Sequence, residues 1–341
     1  MNTLSSSSPP ASTTFRRAGR LLAASLVSAV ALWAVLRDVD PHALWRLVAG
    51  IEPLGVAGYL GALGVTQLAR AWRWRTLVLP LAPVSFASAW RMSNVGNMLI
   101  MLLPLRLGEL SRPLLLKREY GRPLSAGMGA AVVERVLDGL LVTLLFFATT
   151  AALPPPFVVP KALRAAAVVA LALFAGASVG IAAMLLVHDR FVGLLRRFER
   201  GRLADVIEPA IGLLEAFVAG MRALPSVAAV VSVVLATLAY WAANALGMVA
   251  LVQAFGWPLP MVAGATLVCV LVIGVMIPAG PGLLGTYQAA LVAGLSVYRV
   301  GGDDAVAFSL VAYLGNLAVL VAFGLPHVLL GARRARLPSE A

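Results

Sequence analysis

The segment 97–112, NMLIMLLPLRLGELSR, decides how this chain folds. It ends an apolar run over 86–103 and then sets Pro104 and Gly108 among ionisable side chains. Helix-breaking residues at membrane depth are tolerated only where the backbone is buried in protein or lines a wet cavity. In a membrane protein, the segment therefore predicts a helix that is interrupted and turns back inside the bilayer.

The composition places the whole chain in a membrane. Of its 341 residues, 61% are hydrophobic and 12% are charged, and the mean hydropathy is +0.92. Soluble domains carry about 25% charged residues, so a soluble globular fold is excluded. Because one helical crossing takes about 20 apolar residues, the apolar stretches predict an all-α, polytopic helical membrane protein. These stretches cover 21–36, 51–69, 86–103, 125–152, 165–187, 226–255, 260–278, 283–298 and 305–330.

A second interruption lies in the other half of the chain, at 277–282, IPAGPG. Paired interrupted segments are typical of inverted-repeat transporters, whose substrate site lies near the bilayer midplane between the repeats. The alternative is that both clusters are ordinary turns between complete crossings.

The positive charges favour two re-entrant hairpins over nine crossings. We place 86–117 as a hairpin entering from the cytoplasm and 260–298 as one entering from outside, with six full crossings around them. Cytoplasmic segments then hold 18 of the 27 Lys and Arg residues, external segments hold 5, and 4 lie within the membrane. This asymmetry follows the positive-inside rule and predicts that both termini are cytoplasmic.

The domain plan follows from the same pattern. Residues 1–19 are Ser- and Pro-rich and are predicted to be a disordered cytoplasmic terminus, residues 20–335 form one transmembrane domain, and 336–341 form a tail. Within the domain, 189–222 is predicted to be a cytoplasmic amphipathic segment. The first apolar run, 21–36, is read as an anchor, with a cleaved signal peptide as the alternative.

The first interruption carries charge. Arg106, Glu109 and Arg112 lie three residues apart, so they share one face if the segment is helical. A glutamate between two arginines leaves a net positive charge that a phosphate would neutralise. Ionisable groups at membrane depth mark substrate paths by default, but mutual pairing that only holds the fold is also compatible with this pattern.

A second charged cluster follows within the run 125–152. Glu134 and Asp138 lie one helical turn apart, and Arg135 is spaced to pair with Asp138. Two acids and one base need a further cation, for which Arg106 and Arg112 are the candidates. A structural ion pair and a substrate role both remain open.

The second interruption offers backbone geometry instead of charge. A half-helix that starts after Gly282 would aim its free N–H groups and positive dipole end at the midplane, with Thr286 and Gln288 in its first turn. Further polar residues inside apolar runs could line the same cavity or only hydrogen-bond between helices. They are Arg91, Asn94, Asn97, Tyr240, Asn244, Tyr313 and Asn316.

Signatures of catalysis are scarce. The sequence has no Gly-rich Lys-Ser/Thr phosphate loop and no His-Glu-x-x-His motif, and its three histidines and Cys269 are isolated. We therefore predict no enzyme activity, no catalytic residue, no cofactor, no metal site and no nucleic-acid partner. One exception is Asp38 and Asp40, because membrane glycosyltransferases carry acids in their first external loop; the alternative is an Asp cap on a short interfacial helix.

Three motifs together resemble a known family. They are Pro104-x-Arg106-x-Gly108-Glu109-x-x-Arg112, Glu134-Arg135-x-x-Asp138 and Pro278-x-x-Pro281-Gly282-x-x-Gly285-Thr286. From about residue 20 to 335 the chain resembles the transmembrane region of lysylphosphatidylglycerol synthases, a flippase-like domain that also occurs free-standing. The Arg-Trp segment 70–75 is similar as well. The aminoacyl-transfer domain is missing, and Gln288 stands where many relatives carry Glu.

The resemblance implies a translocase of an amphipathic lipid in the cytoplasmic membrane. The lipid would be a phospholipid, a polyprenyl-linked sugar or a terpenoid, and enzymes of lipid biosynthesis are the implied partners. In this interpretation Arg106 and Arg112 bind a lipid phosphate, and the half-helix at Pro281, Gly282 and Gly285 completes the site. A membrane glycosyl- or lipid-modifying transferase, or a non-catalytic partner of a lipid-synthesis complex, is the alternative.

Overall fold

The computed structural model describes residues 33, 41–197, 204–222, 226–276 and 281–336, which form α-helices, two short 3-10 helices and connecting turns without a strand. The all-α prediction is confirmed for these residues. In chain order the helices are α1 (Pro41–Ala49), α2 (Pro53–Val78), α3 (Phe86–Leu102), α4 (Ser111–Tyr120), α5 (Leu124–Ala151), α6 (Lys161–Arg197), α7 (Ala204–Met221), α8 (Val227–Ala254), α9 (Val262–Gly274), α10 (Thr286–Ser296) and α11 (Gly302–Arg336).

Five of the predicted crossings are long helices. The apolar parts of α6, α8 and α11 are 34, 28 and 29 residues long, so their length and composition suit a membrane crossing. Helices α2 and α5, of 26 and 28 residues, are equally long but carry charged side chains. The predicted first crossing, 21–36, and residues Asp38 and Asp40 lie outside the described part of the chain.

Both predicted interruptions are real. Helix α3 has 17 residues and gives way to a 3-10 helix, Pro104–Leu110, before α4; α9 has 13 residues, and a 3-10 turn, Pro281–Leu283, precedes α10. Each of these helices is shorter than the about 20 residues of a full crossing. The two 3-10 segments pack against each other, so the interruptions from the two halves meet. Their entry from opposite faces stays a prediction.

Local sequence explains where several helices begin and end. Ser85 and Ser226 cap α3 and α8, since each side-chain oxygen accepts a hydrogen bond from a backbone N–H three residues later, at 3.2 Å. Gly121 ends α4 with a φ of 67°, the left-handed conformation that favours glycine. The short helices around the first interruption are therefore specified by their own sequence.

Helices α2 and α8 form the main packing contact of the fold. A Cβ on Gly55 would lie 2.7 Å from the Cβ of Ala254, and one on Gly58 would lie 3.3 Å from that of Ala250. The core around this pair is apolar and includes Tyr59, which is 1% exposed. Small residues thus bring the two backbones close, as is usual between membrane helices.

Two helices contain the described residues of the predicted amphipathic segment 189–222 up to Met221. Helix α6 continues through the predicted end of its span to Arg197, and α7 begins at Ala204 and packs on α5. A Cβ on Gly220 would lie 1.9 Å from the carbonyl oxygen of Ala126, which shows how closely α7 approaches α5. The cytoplasmic and amphipathic character of 189–222 stays a prediction. The termini at 1–19 and 337–341 lie outside the described residues.

The charge distribution makes a direct prediction of topology. In a Cys269→Ala background, Arg118→Cys should react only with a membrane-permeant thiol reagent, because 117–122 is predicted to be cytoplasmic. Lys161→Cys should react with an impermeant reagent added outside. Both native side chains are exposed, so either cysteine is chemically accessible. Labelling of residue 118 by the external reagent would contradict the topology.

Candidate functional site

A buried network of charges joins α2, α4 and α5. Arg73 on α2 donates to Asp138 Oδ1 at 2.6 Å and Oδ2 at 2.9 Å, and to Glu134 Oε1 at 2.7 Å. Arg112 on α4 donates to Glu134 Oε2 at 2.6 Å. Trp241 on α8 adds an N–H bond to Asp138 Oδ1 at 3.2 Å. Arg73, Arg112 and Glu134 are at most 2% exposed, so each charge is stabilised by its partners rather than by water.

This network corrects one predicted pairing and supports another. Asp138 pairs with Arg73 and not, as predicted, with Arg135, whose guanidinium lies 3.4 Å from Glu134 Oε1 instead. The pairing at spacing i to i+3 was wrong because a cation from another helix reaches Asp138 with two hydrogen bonds. Arg112 does supply the predicted further cation for Glu134.

Aromatic rings enclose the two buried arginines. The Arg112 guanidinium lies 4.5 Å from the ring centre of Trp74, and that of Arg73 lies 5.3 Å from the ring of Tyr240. Such contacts favour a cation over a ring face. Arg112 is therefore held between Trp74 and Glu134, away from any open space.

A cavity of about 400 Å³ lies where the two interruptions meet. Charged side chains on its wall come from α2, the first 3-10 helix and α5: Arg70, Glu109, Arg135 and Asp138. Apolar side chains on the wall include Val268, Leu271 and Val272 of α9. The cavity is thus amphipathic, with a charged part and a hydrocarbon part.

Several of the predicted polar residues reach this cavity and others do not. Asn97, Tyr240, Asn244 and Asn316 line it, in addition to Glu109, Arg135 and Asp138. Arg91 instead pairs with Glu119 at 2.6 Å, and the Tyr313 hydroxyl donates to the Gly282 carbonyl at 2.9 Å. Asn94 bonds the Trp90 carbonyl one turn before it, at 2.9 Å.

Two predicted residues lie in the 3-10 segments with side chains outside the described part of the structure. They are Arg106 and Pro281. Gly108, in the same motif as Arg106, is packed so tightly that a Cβ would lie 2.1 Å from the backbone nitrogen of Ile100 on α3. The tip of the first hairpin therefore folds directly back on α3.

The start of α10 is closed by its own side chains. Gln288 accepts a hydrogen bond from the Gly285 N–H at 2.8 Å, and the Thr286 hydroxyl donates to the Leu283 carbonyl at 2.9 Å. Gly282 and Gly285 adopt φ values of 76° and 82°, which only glycine takes easily. Gly282 and Gly285 thus shape the turn, while Leu283 and Tyr287 line the cavity.

Arg70 is the cavity residue that sequence reasoning missed. Its guanidinium donates to the Tyr240 hydroxyl at 2.5 Å and lies 4.8 Å from the centre of that ring. The topology prediction places the segment 70–75 among the cytoplasmic charges, but Arg70 lines the cavity and Arg73 is buried beside it. The pair of acids, Glu134 and Asp138, was a signal for Arg73, which bonds both of them, but it did not point to Arg70.

Fold and cavity together define a polytopic helical membrane protein with a charged site between two interrupted helices. The chain belongs to the family of the lysylphosphatidylglycerol synthase transmembrane region, whose family model matches residues 21–324. The predicted resemblance is confirmed, and it assigns the protein to the membrane and to lipid-related function. No curated protein and no solved structure matches the chain.

Proposed function

We propose that the protein translocates an anionic amphipathic lipid, or a lipid-linked precursor, across the cytoplasmic membrane, with both of its termini in the cytoplasm. The observation that carries this proposal is the amphipathic cavity between the two interruptions. A cavity of about 400 Å³ is near the lower end of the about 300–1,000 Å³ range of ligand pockets. It suits a polar head group while the hydrocarbon tails stay in the bilayer.

The charge balance favours an anionic head group. Among the side chains that the structure describes, the cavity wall and the buried network contain four arginines, at 70, 73, 112 and 135, and three acids, at 109, 134 and 138. A single phosphodiester would neutralise the surplus positive charge. Burying an unbalanced charge is costly, so binding of an anion stabilises the site.

The phosphate ligands in this proposal are Arg70 and Arg135. Both arginines line the cavity, and the Arg135 side chain is 38% exposed. Arginine binds phosphate through two parallel N–H bonds. The predicted ligand Arg112 is engaged by Glu134 and Trp74 instead, so we assign it to holding α4 against α5.

Movement of the head group requires the cavity to open alternately to each side. The buried network ties α2, α4 and α5 into one unit, whereas Tyr313 ties the second interruption to α11. Rocking of one unit against the other around a fixed site is the usual mechanism of inverted-repeat transporters. It moves the lipid down its own gradient and uses no nucleotide.

Reconstituted proteoliposomes provide the test. Fluorescent phosphatidylglycerol in the inner leaflet should become accessible to a membrane-impermeant quencher in the presence of the protein. Phosphatidylcholine with the same tails should move more slowly, because its head group has no net charge for the arginines to balance. Empty liposomes give the background rate. If no anionic lipid moves above that background, the proposed function is wrong.

A further inference from the structure

A second opening lies on the outer side of the α2–α8 pair. It has a volume of about 730 Å³, and it is bordered by apolar side chains that include Leu68, Trp72, Phe86, Val231 and Leu235. Its one hydroxyl is that of Ser232, which accepts a hydrogen bond from Trp72 Nε1 at 2.9 Å. Since that hydroxyl is engaged by the protein, the groove suits hydrocarbon rather than a polar ligand.

This groove and the central cavity lie on opposite sides of the same helix pair. Ala69 and Ala239 line the groove, and the next residue on each helix, Arg70 and Tyr240, lines the cavity. The hydrogen bond between Arg70 and Tyr240 therefore lies in the wall that separates the two spaces. At the position of Arg70 and Tyr240, a polar contact between side chains separates the groove from the cavity.

The two helices pack differently along their length. At one end, the close approach of Gly55 and Gly58 to Ala254 and Ala250 brings backbone against backbone. At the other end, side chains bridge the helices: Trp72 reaches Ser232, and the hydroxyls of Thr76 and Ser232 lie 3.3 Å apart. Opening the pair at the Thr76 end would break side-chain contacts, among them a 3.4 Å hydrogen bond from Arg73 to Thr237, whereas opening it at the Gly55 end would separate closely packed backbones.

We propose that the groove between α2 and α8 holds a hydrocarbon tail of the transported lipid and that the Arg70–Tyr240 contact is the lateral gate through which the head group enters the central cavity. This inference rests on the proposed function. It explains why the apolar groove and the charged cavity lie on opposite sides of one helix pair. The tail stays in the groove, while the lipid phosphate replaces the Tyr240 hydroxyl as the hydrogen-bond acceptor of Arg70.

Photolabelling tests the tail site without reference to transport. A phosphatidylglycerol with a diazirine on one acyl chain should label groove residues such as Leu68, Val231 and Leu235 in preference to other exposed apolar residues. Ala239→Trp fills the groove and should abolish that labelling, whereas Leu238→Trp is the matched control. Both native residues are exposed and adjacent on α8, but Leu238 is not part of the groove wall. Uniform labelling of all lipid-facing helices would overturn the tail site.

Two crosslinks between the same helices test the gate. In a Cys269→Ala background, Thr76→Cys with Ser232→Cys joins the bridged end, and Gly58→Cys with Ala250→Cys joins the closed end. Oxidation or a bifunctional thiol reagent forms either link. The first link should lower phosphatidylglycerol translocation by about tenfold, reversibly on reduction, because a fixed gate cannot open. The second link should leave the rate unchanged.

The outcomes separate this inference from the proposed function. If wild-type protein translocates lipid and the Thr76–Ser232 link has no effect, the gate is wrong while translocation stands. If wild-type protein moves no lipid, translocation and the gate are both wrong, and photolabelling still decides whether the groove binds a tail. Labelling of the groove together with a block by the first link alone supports the whole inference.

Discussion

Glu134→Gln is expected to destabilise the folded protein by about 3–5 kcal/mol, the usual cost of removing one partner from a buried ion pair. The Glu134 side chain is 1% exposed and accepts hydrogen bonds from both Arg73 and Arg112. Without that charge, Arg112 loses its carboxylate partner and Arg73 keeps Asp138 alone in the described network. Thermal unfolding in detergent, followed by loss of the monodisperse size-exclusion peak, measures the effect.

Glu119→Gln is the matched control for this prediction. Its ion pair with Arg91 has the same 2.6 Å separation, but the two side chains are 21% and 36% exposed. Exposed pairs contribute about 0–1 kcal/mol, since water screens them. Equal losses of stability in the two variants would show that burial does not decide the strength of the Glu134 network.

Local sequence was sufficient to locate the broken helices. A proline acts on its own backbone and on the residue before it, so Pro104 ends α3 at Leu102 wherever the rest of the chain lies. The second interruption is specified in the same way by the cluster 277–282. The two interruptions pack together. Their paired positions in the two halves of the sequence predicted this contact without any knowledge of the tertiary structure.

The pairing of charges was less predictable. Arg73 lies 61 residues before Glu134, and its neighbours Trp72 and Arg75 give it the appearance of an interfacial anchor. The local pattern does not show that the Arg73 side chain faces α5. It also does not show that the side chain of the preceding residue, Trp72, is 50% exposed. Spacing along one helix predicted that Arg135 pairs with Asp138. In the structure Arg73, on the neighbouring helix α2, pairs with Asp138 instead and makes two short hydrogen bonds to it.

The same limit applies to the cavity wall. Polar residues on membrane helices hydrogen-bond to the preceding turn about as readily as they face a cavity, and spacing does not distinguish the two. Asn94 and Asn97 lie one turn apart on α3, yet Asn94 bonds its own helix and Asn97 lines the cavity. Which of them faces the cavity depends on how α3 is rotated against its neighbours.

The prediction that bears most directly on function is that Arg70→Gln and Arg135→Gln each slow translocation of phosphatidylglycerol by about 10–100-fold. Glutamine keeps a hydrogen-bonding side chain but removes the charge, and a hydrogen bond to a charged group contributes about 1.5–3 kcal/mol. Both residues reach the cavity, and Arg70 bonds Tyr240 rather than an acid in the described network. The amount of folded Arg70→Gln protein should therefore fall little. Arg135→Gln removes the 3.4 Å contact to Glu134 but keeps the shorter contacts of that carboxylate to Arg73 and Arg112, so its folded amount should also fall only modestly.

Arg91→Gln separates a role in the cavity from a general effect of positive charge. Arg91 lies on α3, pairs with Glu119 and is not part of the cavity wall, so its loss should leave the translocation rate of folded protein unchanged. The proteoliposome assay measures all three variants at equal amounts of reconstituted protein. Slower transport in Arg91→Gln, or unchanged transport in both cavity variants, would contradict the assignment of Arg70 and Arg135. A rate that falls only for those two variants ties translocation to the arginines that line the cavity, because the shorter Arg73–Glu134, Arg73–Asp138 and Arg112–Glu134 pairs are left in place.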